Sequence, residues 1–347
     1  MEQENTVKPM DWDFLIKTIK RQRCVLFLGP EIFVNANGES LQQQFYQTLA
    51  EQNPDKILAY NKEDGFFLFT SPQAKTRIFI NIVDFFEQNF DENLLTKIVE
   101  IPFHAIVSIN PDNTLTKLMQ KYGIDHTFDY YDRKQKKDIS DSPTKDKPLV
   151  YNLLGNVAEE ETLILTHDDL YEYFRALMGN NQLPLELRAV LESALDYVFL
   201  GFQFDKWYVQ LLMSLLNLHD EKYQFIRFAS LQKMRTDTQS LCIKHFKIEF
   251  IDNNVLSFVD SLYQKCQSEN LLRPLKQSNA GTNALLSANQ LRVNELSNQL
   301  ERQIKLLGEL NKKLDTETRP KEIMNLEDEI EAVKQRMEQT ENELKNL

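Results

Sequence analysis

Up to about residue 270 the chain alternates short unbroken apolar runs with stretches in which apolar residues recur every three or four positions. The runs at 25–28, 105–109, 149–154, 197–200, 223–228 and 247–251 predict strands buried on both faces. Helical spacing appears at 41–50, 78–86, 115–122, 168–177, 185–195 and 207–216. Continuous apolar strands separated by helices predict a doubly wound α/β domain with a mostly parallel sheet. Residues 132–147 are polar and charged with no apolar period, so they read as an exposed insertion, with a flap over the strand ends as the alternative.

The pattern changes after Pro274, where residues 274–284 form a linker that includes the small-residue stretch QSNAGT. Beyond it Val293, Leu296, Leu300, Ile304, Leu307, Leu310 and Leu314 step by threes and fours. Ile323, Leu326, Ile330, Val333, Met337, Thr340, Leu344 and Leu347 then hold a heptad. The break at 315–320, with Pro320 placed to open a helix, predicts two helices, each roughly 40 Å long at about 1.5 Å per residue. Residues 1–273 are therefore expected as the α/β domain and 285–347 as an antiparallel coiled-coil hairpin. One apolar stripe per helix leaves surface to cover, which predicts self-association or a helical protein partner, with folding back on the α/β body as the alternative.

A net charge of −12 argues against direct nucleic-acid binding. The three cysteines, Cys24, Cys242 and Cys266, lie too far apart in sequence to encode a disulfide framework or a zinc ribbon, which points to a reducing cytoplasm and to no metal. No apolar run approaches the length needed to span a bilayer, so no membrane partner is expected.

Candidate chemistry gathers where the strands end. Ile106 and Val107 run into Ser108, Asn110, Pro111 and Asp112, and the other ends read Leu28-Gly29-Pro30, Leu154-Gly155-Asn156 and Leu200-Gly201-Phe202. Ligands of open α/β sheets bind beyond the carboxyl ends of the strands, so these ends predict one shared crevice. Asn and Asp after a strand are also ordinary turn and cap residues.

The ordered motifs Phe27-Leu28-Gly29, Ser108-Ile109-Asn110-Pro111-Asp112, Asn152-Leu153-Leu154-Gly155-Asn156, Leu165-Thr166-His167-Asp168-Asp169 and Gly201-Phe202-Gln203-Phe204-Asp205 resemble the sirtuin-like domains of prokaryotes over about residues 20–265. That resemblance implies a Rossmann-like fold and NAD as ligand or substrate, often in antiphage effectors that destroy NAD. It places Gly29, Pro30, Glu31, Ser108, Gly155, Asn156, Gly201 and Asp205 at the cofactor. Asp112 would stabilise a cationic sugar and Asn110 would hold a water or ribose hydroxyl. Asp205 would cap the following helix, with Trp207 packed on the core.

Two positions depart from the family. A glycine-alanine-glycine turn is replaced by Gly29-Pro30-Glu31, which removes a backbone donor and adds a carboxylate where pyrophosphate would lie. The catalytic histidine, directly before a glycine in the family, is Leu154 here. His167 is the candidate replacement, although Thr166-His167-Asp168-Asp169 reads more simply as a helix cap with acidic residues in the first turn. Protein deacylation, which the resemblance ties to an inserted zinc ribbon, has no support. The expectation is an assembly or interaction module with a degenerate NAD-type crevice, and the alternative is a nicotinamide-releasing NAD hydrolase activated by oligomerisation. A different nucleotide or nucleotide sugar is a more remote ligand.

Overall fold

The computed structural model describes residues 10–276 apart from 36–39, 88–91, 217, 219–225, 231–233 and 252–253, and then residues 296, 300, 303–304, 306–308, 310–315 and 319–345. The chain divides into two compact units, Met1–Lys276 and Gln277–Leu347.

In the first unit, α1 (Trp12–Lys20) leads into β1 (Cys24–Leu28). Next come α2 (Leu41–Gln52), the hairpin β2 (Ile57–Asn61) and β3 (Phe66–Phe69), α3 (Pro72–Phe86) and α4 (Glu92–Glu100). β4 (Ala105–Ser108), α5 (Thr114–Lys121), β5 (Thr127–Tyr130), β6 (Leu149–Asn152), α6 (His167–Met178) and α7 (Leu185–Ser193) follow. The unit closes with β7 (Asp196–Leu200), α8 (Trp207–Leu215), β8 (Ile226–Ser230), α9 (Thr236–Lys244), β9 (Ile248–Ile251) and α10 (Val255–Ser268). Seven strands form one parallel sheet in the order β5-β6-β4-β1-β7-β8-β9. This is the predicted α/β architecture, covered by helices on both faces.

Alternation along the central strands builds those faces. Leu26, Ile106, Val150, Val198 and Phe228 pack with α1, α4, α5 and α10, whereas Val25, Phe27, Val107, Tyr151 and Phe199 pack with α6, α7 and α8. Both sides of these strands are buried, which is why their sequence shows no polar alternation. A third core joins α2, the β2–β3 hairpin and α3 with Val157, Leu163 and Leu165. The stretch from α2 to α3 is thus a cap with its own interior, which the apolar pattern did not predict as a unit.

One expectation shifts and another gains detail. The strand expected at 223–228 is Ile226–Ser230 among the described residues, with 223–225 outside them. Residues 132–147 are irregular and mostly exposed, as expected, but tied to the body at two points: Ile139 is buried, and Arg133 bonds the Leu163 carbonyl and Asp169 at 3.2 Å each.

In the second unit the described helix Pro320–Lys345 opens on Pro320. Leu310, Ile330 and Val333 are buried, with Leu306, Leu314, Leu326 and Met337 packed around them, and Gln303 donates to Thr340 Oγ1 at 3.2 Å. Most of the predicted linker (277–284), and residues 285–295 of the predicted hairpin, lie outside the described residues.

Candidate functional site

β1 sits at the centre of the sheet, and the chain leaves it toward β4 on one side while β7 lies on the other, so the topological switch falls between β1 and β7. A doubly wound fold ordinarily opens a ligand crevice there. In this protein the two turns close on each other instead. Gly29 N donates to Leu200 O at 2.9 Å, Glu31 N to Gly201 O at 3.0 Å, and Ile32 N back to Gly29 O at 3.2 Å. Pro30 has no N–H to offer. Every backbone donor from Gly29 to Ile32 is therefore engaged within the protein. Both glycines are required by this approach: a Cβ on Gly29 would lie 2.3 Å from Gly201 O, and one on Gly201, at φ +70°, would lie 2.3 Å from Ile32 N. Gln203 donates to the Glu31 carboxyl at 3.1 Å, and burial raises the proton affinity of that carboxyl.

The loop after β4 carries the predicted polar pair. Its residues alternate across the chain, as strand geometry dictates. Ser108, Asn110 and Asp112 face a pocket of about 10 Å³ shared with Asn152, Thr114 and Thr116. Ile109 and Pro111 face a separate cleft, bordered by Pro30 and Leu154, that encloses about 70 Å³. The strand ends expected to form one crevice thus border two spaces, because a single extended loop presents its odd and even positions to opposite sides.

Hydrogen bonds hold the pair firmly. Ser108 Oγ accepts from Asn110 N at 3.0 Å, Asn110 Nδ2 donates to Gly29 O at 3.2 Å, and Asn152 Nδ2 donates to Asp112 O at 2.9 Å. Asp112 Oδ1 accepts from Thr114 N at 2.8 Å, and burial pushes its carboxyl above the ordinary range despite this bond. Asn110 Oδ1 is buried with no hydrogen-bond partner. An acceptor buried without a partner is costly, and it is the kind of group that a bound hydroxyl or water would satisfy.

The remaining predicted residues are dispersed. Gly155, at φ +91°, begins a turn in which Asn156 N donates to Thr162 Oγ1 at 2.9 Å and Asn156 Oδ1 accepts from Ala158 N at 3.1 Å. His167 Nε2 lies 3.1 Å from Asp64 Oδ2 of the cap, while Thr166 and Asp169 form a capping box around the start of α6. Asp205 does not cap α8, whose N-cap is Lys206 without a side-chain bond. Its carboxylate instead accepts from Arg235 N at 3.3 Å at the start of α9. Trp207 is 40% exposed, with its ring against Phe174 and Tyr208, rather than sunk in the core.

Sequence reasoning missed Asn152 as a partner of Asp112, and it missed the cleft residues Lys206, Gln203, Tyr60 and Tyr208. Asn152 carried a signal, since it ends an apolar run as Ser108 does. The cleft residues come from segments well over a hundred positions apart and carried none. Among the described residues no group of three or more His, Cys, Asp or Glu could hold a metal ion, and no helix is long and apolar enough to cross a membrane.

No curated protein matches the chain. A family model does: it spans residues 104–251, from the residue before β4 through β9, taking in Ser108, Asn110, Asp112, Gly155 and Gly201. The match leaves β1, its closed turn and the cap outside. Over residues 104–251, then, the chain is similar to a SIR2-like domain.

Proposed function

We propose that this protein is an assembly or interaction module built on a sirtuin-like domain whose dinucleotide crevice no longer works in the usual way. One observation carries the reading: the N–H groups of Gly29, Glu31 and Ile32 are bonded to Leu200, Gly201 and Gly29. A pyrophosphate held at this turn would need those donors. Pro30 supplies none, and the Glu31 carboxyl adds repulsion. Leu154, in the position of the family's histidine, cannot move a proton. The residues present do not fit NAD bound through the first turn.

Assembly falls to the C-terminal unit, which we read as an antiparallel helical hairpin. The reading is supported by the pairing of Gln303 with Thr340 and the apolar cluster of Leu310 with Ile330 and Val333, positions that run in opposite directions along the chain. Its partner is a second copy of this chain or another helical protein, in a cytoplasmic and, by the family resemblance, antiphage setting.

A second reading, NAD hydrolysis with release of nicotinamide, is favoured by one observation. Asn110 Oδ1 is buried without a partner beside Asp112. The two readings separate when purified protein is incubated with NAD over a range of protein concentrations, with nicotinamide followed by chromatography and binding by calorimetry. The module reading expects neither release nor binding from a folded oligomer. Release that grows with concentration and is lost in Asn110→Ala would replace it with an assembly-activated hydrolase.

A further inference from the structure

α6 is apolar on two sides. Leu170, Tyr173, Phe174 and Leu177 enter the core, as the inward face of a covering helix must. The outward side carries a second stripe. Tyr171 and Met178, two turns apart and so on one line along the helix, are 53% and 58% exposed. Trp207, at the start of α8, widens the stripe, because its ring lies 6.4 Å from that of Phe174, which stands between Tyr171 and Met178 in the helix. His167 continues it toward the amino end, with its ring 6.4 Å from Tyr171. Single exposed apolar residues are ordinary. Here a Trp, a Tyr and a Met adjoin, each giving roughly 100 Å², and these are types enriched in protein–protein contacts.

The strip of α6 beside this stripe identifies the partner. Asp168, Glu172 and Arg175, four and three residues apart, run along it and are all exposed. Glu172 meets Arg133 Nε at 3.3 Å, yet more than half of its side chain stays exposed. Glu172 and Arg175 also border a shallow open depression with Arg133, Ala176 and Asn181, so the strip is open to a partner. The acids stand toward the amino end of the strip and the base toward the carboxyl end. Turned end for end, a second α6 brings its arginine to these acids and its acids to this arginine, while Tyr171 of each copy meets Met178 of the other. The two arginines then lie near the axis with four carboxylates around them. A face whose charges reverse along one line, and whose apolar residues are symmetric about its middle, is complementary to itself, as a two-fold contact requires. Antiparallel helices also oppose their dipoles.

We propose that the outward face of α6, with Trp207 beside it, is an interface with the same face of a second copy of this chain, the two helices running antiparallel about a two-fold axis level with Phe174 and Arg175. An apolar patch of roughly 300 Å² is small for a permanent dimer, so the contact is weak and reversible. The face belongs to the α/β unit, so the inference goes beyond the assembly read in the C-terminal unit and stands apart from it.

Cysteines placed in the full chain test the contact and its register. The native Cys24, Cys242 and Cys266 are buried, so they give little background, and their protection from maleimide shows that each variant is folded. The antiparallel register sets position 171 of one copy against 178 of the other and keeps each roughly 10 Å along the axis from its own equivalent, too far for a disulfide. The Tyr171→Cys and Met178→Cys chains, co-expressed so that mixed assemblies form, should therefore give covalent dimers under diamide about tenfold faster than either chain alone. Chains held together by the C-terminal unit alone would link no faster in the mixture than singly. Arg175→Glu in both chains leaves only carboxylates on the strip and should slow linking about tenfold, and Glu172→Arg added to it should restore the rate. Equal rates in mixed and single preparations, no effect of Arg175→Glu, or no rescue by Glu172→Arg would overturn the proposal.

Discussion

Both ends of the seven-stranded sheet bury polar side chains, and the two ends treat them differently. At the amino end, Thr18 of α1 donates to Asp196 Oδ2 at 2.5 Å, while Asp196 Oδ1 and His104 Nδ1 are buried without hydrogen-bond partners. Burial pulls the His104 imidazole down to about 4. Arg273 closes this end, donating to the carbonyls of Val99, Ile101, Phe103 and Lys145 at 2.5–2.9 Å. At the carboxyl end, Asn110 Oδ1 is equally without a partner, but it borders a pocket, and a cleft lies across the same loop. A polar atom buried without a partner is a stability cost where it is enclosed, and it becomes a candidate contact only where space adjoins it. By that criterion Asp196 is structural and Asn110 is the candidate for a ligand contact.

The largest expected effect tests whether the carboxyl end is truly shut at its switch point. Gly201→Ala places a Cβ 2.3 Å from a backbone nitrogen at φ +70°, where neither partner can yield. The expected loss is about 4 kcal/mol or more in denaturant unfolding. A loss below about 1 kcal/mol would mean that the β1 and β7 turns part easily, and the closed cradle would cease to be an argument.

At the amino end, Arg273→Met leaves four buried carbonyls without their donor and is expected to cost about 3 kcal/mol. Binding at the carboxyl end should be unaffected. NAD binding gained by the variant, with little change in stability, would reverse the assignment of the two ends.

Asp196→Asn is expected to act in the opposite direction. Burial raises the Asp196 carboxyl to about 6, above its value of about 3.9 in an unfolded chain. The Asp196 contribution to stability is therefore full below about pH 4, is lost as pH rises toward 6, and is constant above that. An amide does not titrate. The variant should match the parent at pH 3.5 and exceed it by about 3 kcal/mol at pH 7.5, as read by denaturant midpoints at the two pH values. A variant less stable than the parent at pH 7.5 would show an ionised Asp196 with a partner that geometry does not reveal.

What could be read in the sequence follows the same division between enclosed and open regions. The central strands were legible because Leu26, Val107, Val150 and Val198 stand in runs buried on both faces. β5, at the sheet edge, reads Thr-Phe-Asp-Tyr, half-buried throughout, and offered no such run. The β2–β3 hairpin announced itself only by Asp64-Gly65 between two apolar segments, a turn signal that was passed over. Asn110 and Asp112 were legible as a pair because they follow one strand. Their separation from Leu154 was not, because it depends on which side of the loop odd and even residues face. Lys206 and the tyrosines of the cleft meet only through the cap.

The smallest expected effect is the most pointed. Leu154→His restores the family's histidine at a half-buried position bordering the cleft, and it should change stability by less than about 1 kcal/mol. A positioned base typically contributes about 10² to 10⁴-fold in rate. Here the nearby turn donors are already bonded to Leu200, Gly201 and Gly29, and Asn110 faces away from residue 154 across the Ile109–Pro111 loop. Nicotinamide release from NAD should therefore stay at the parent's level. If the single substitution raised it by a hundredfold, the histidine alone would have been missing, and the closed seam between Gly29 and Gly201 would be a feature that NAD can displace.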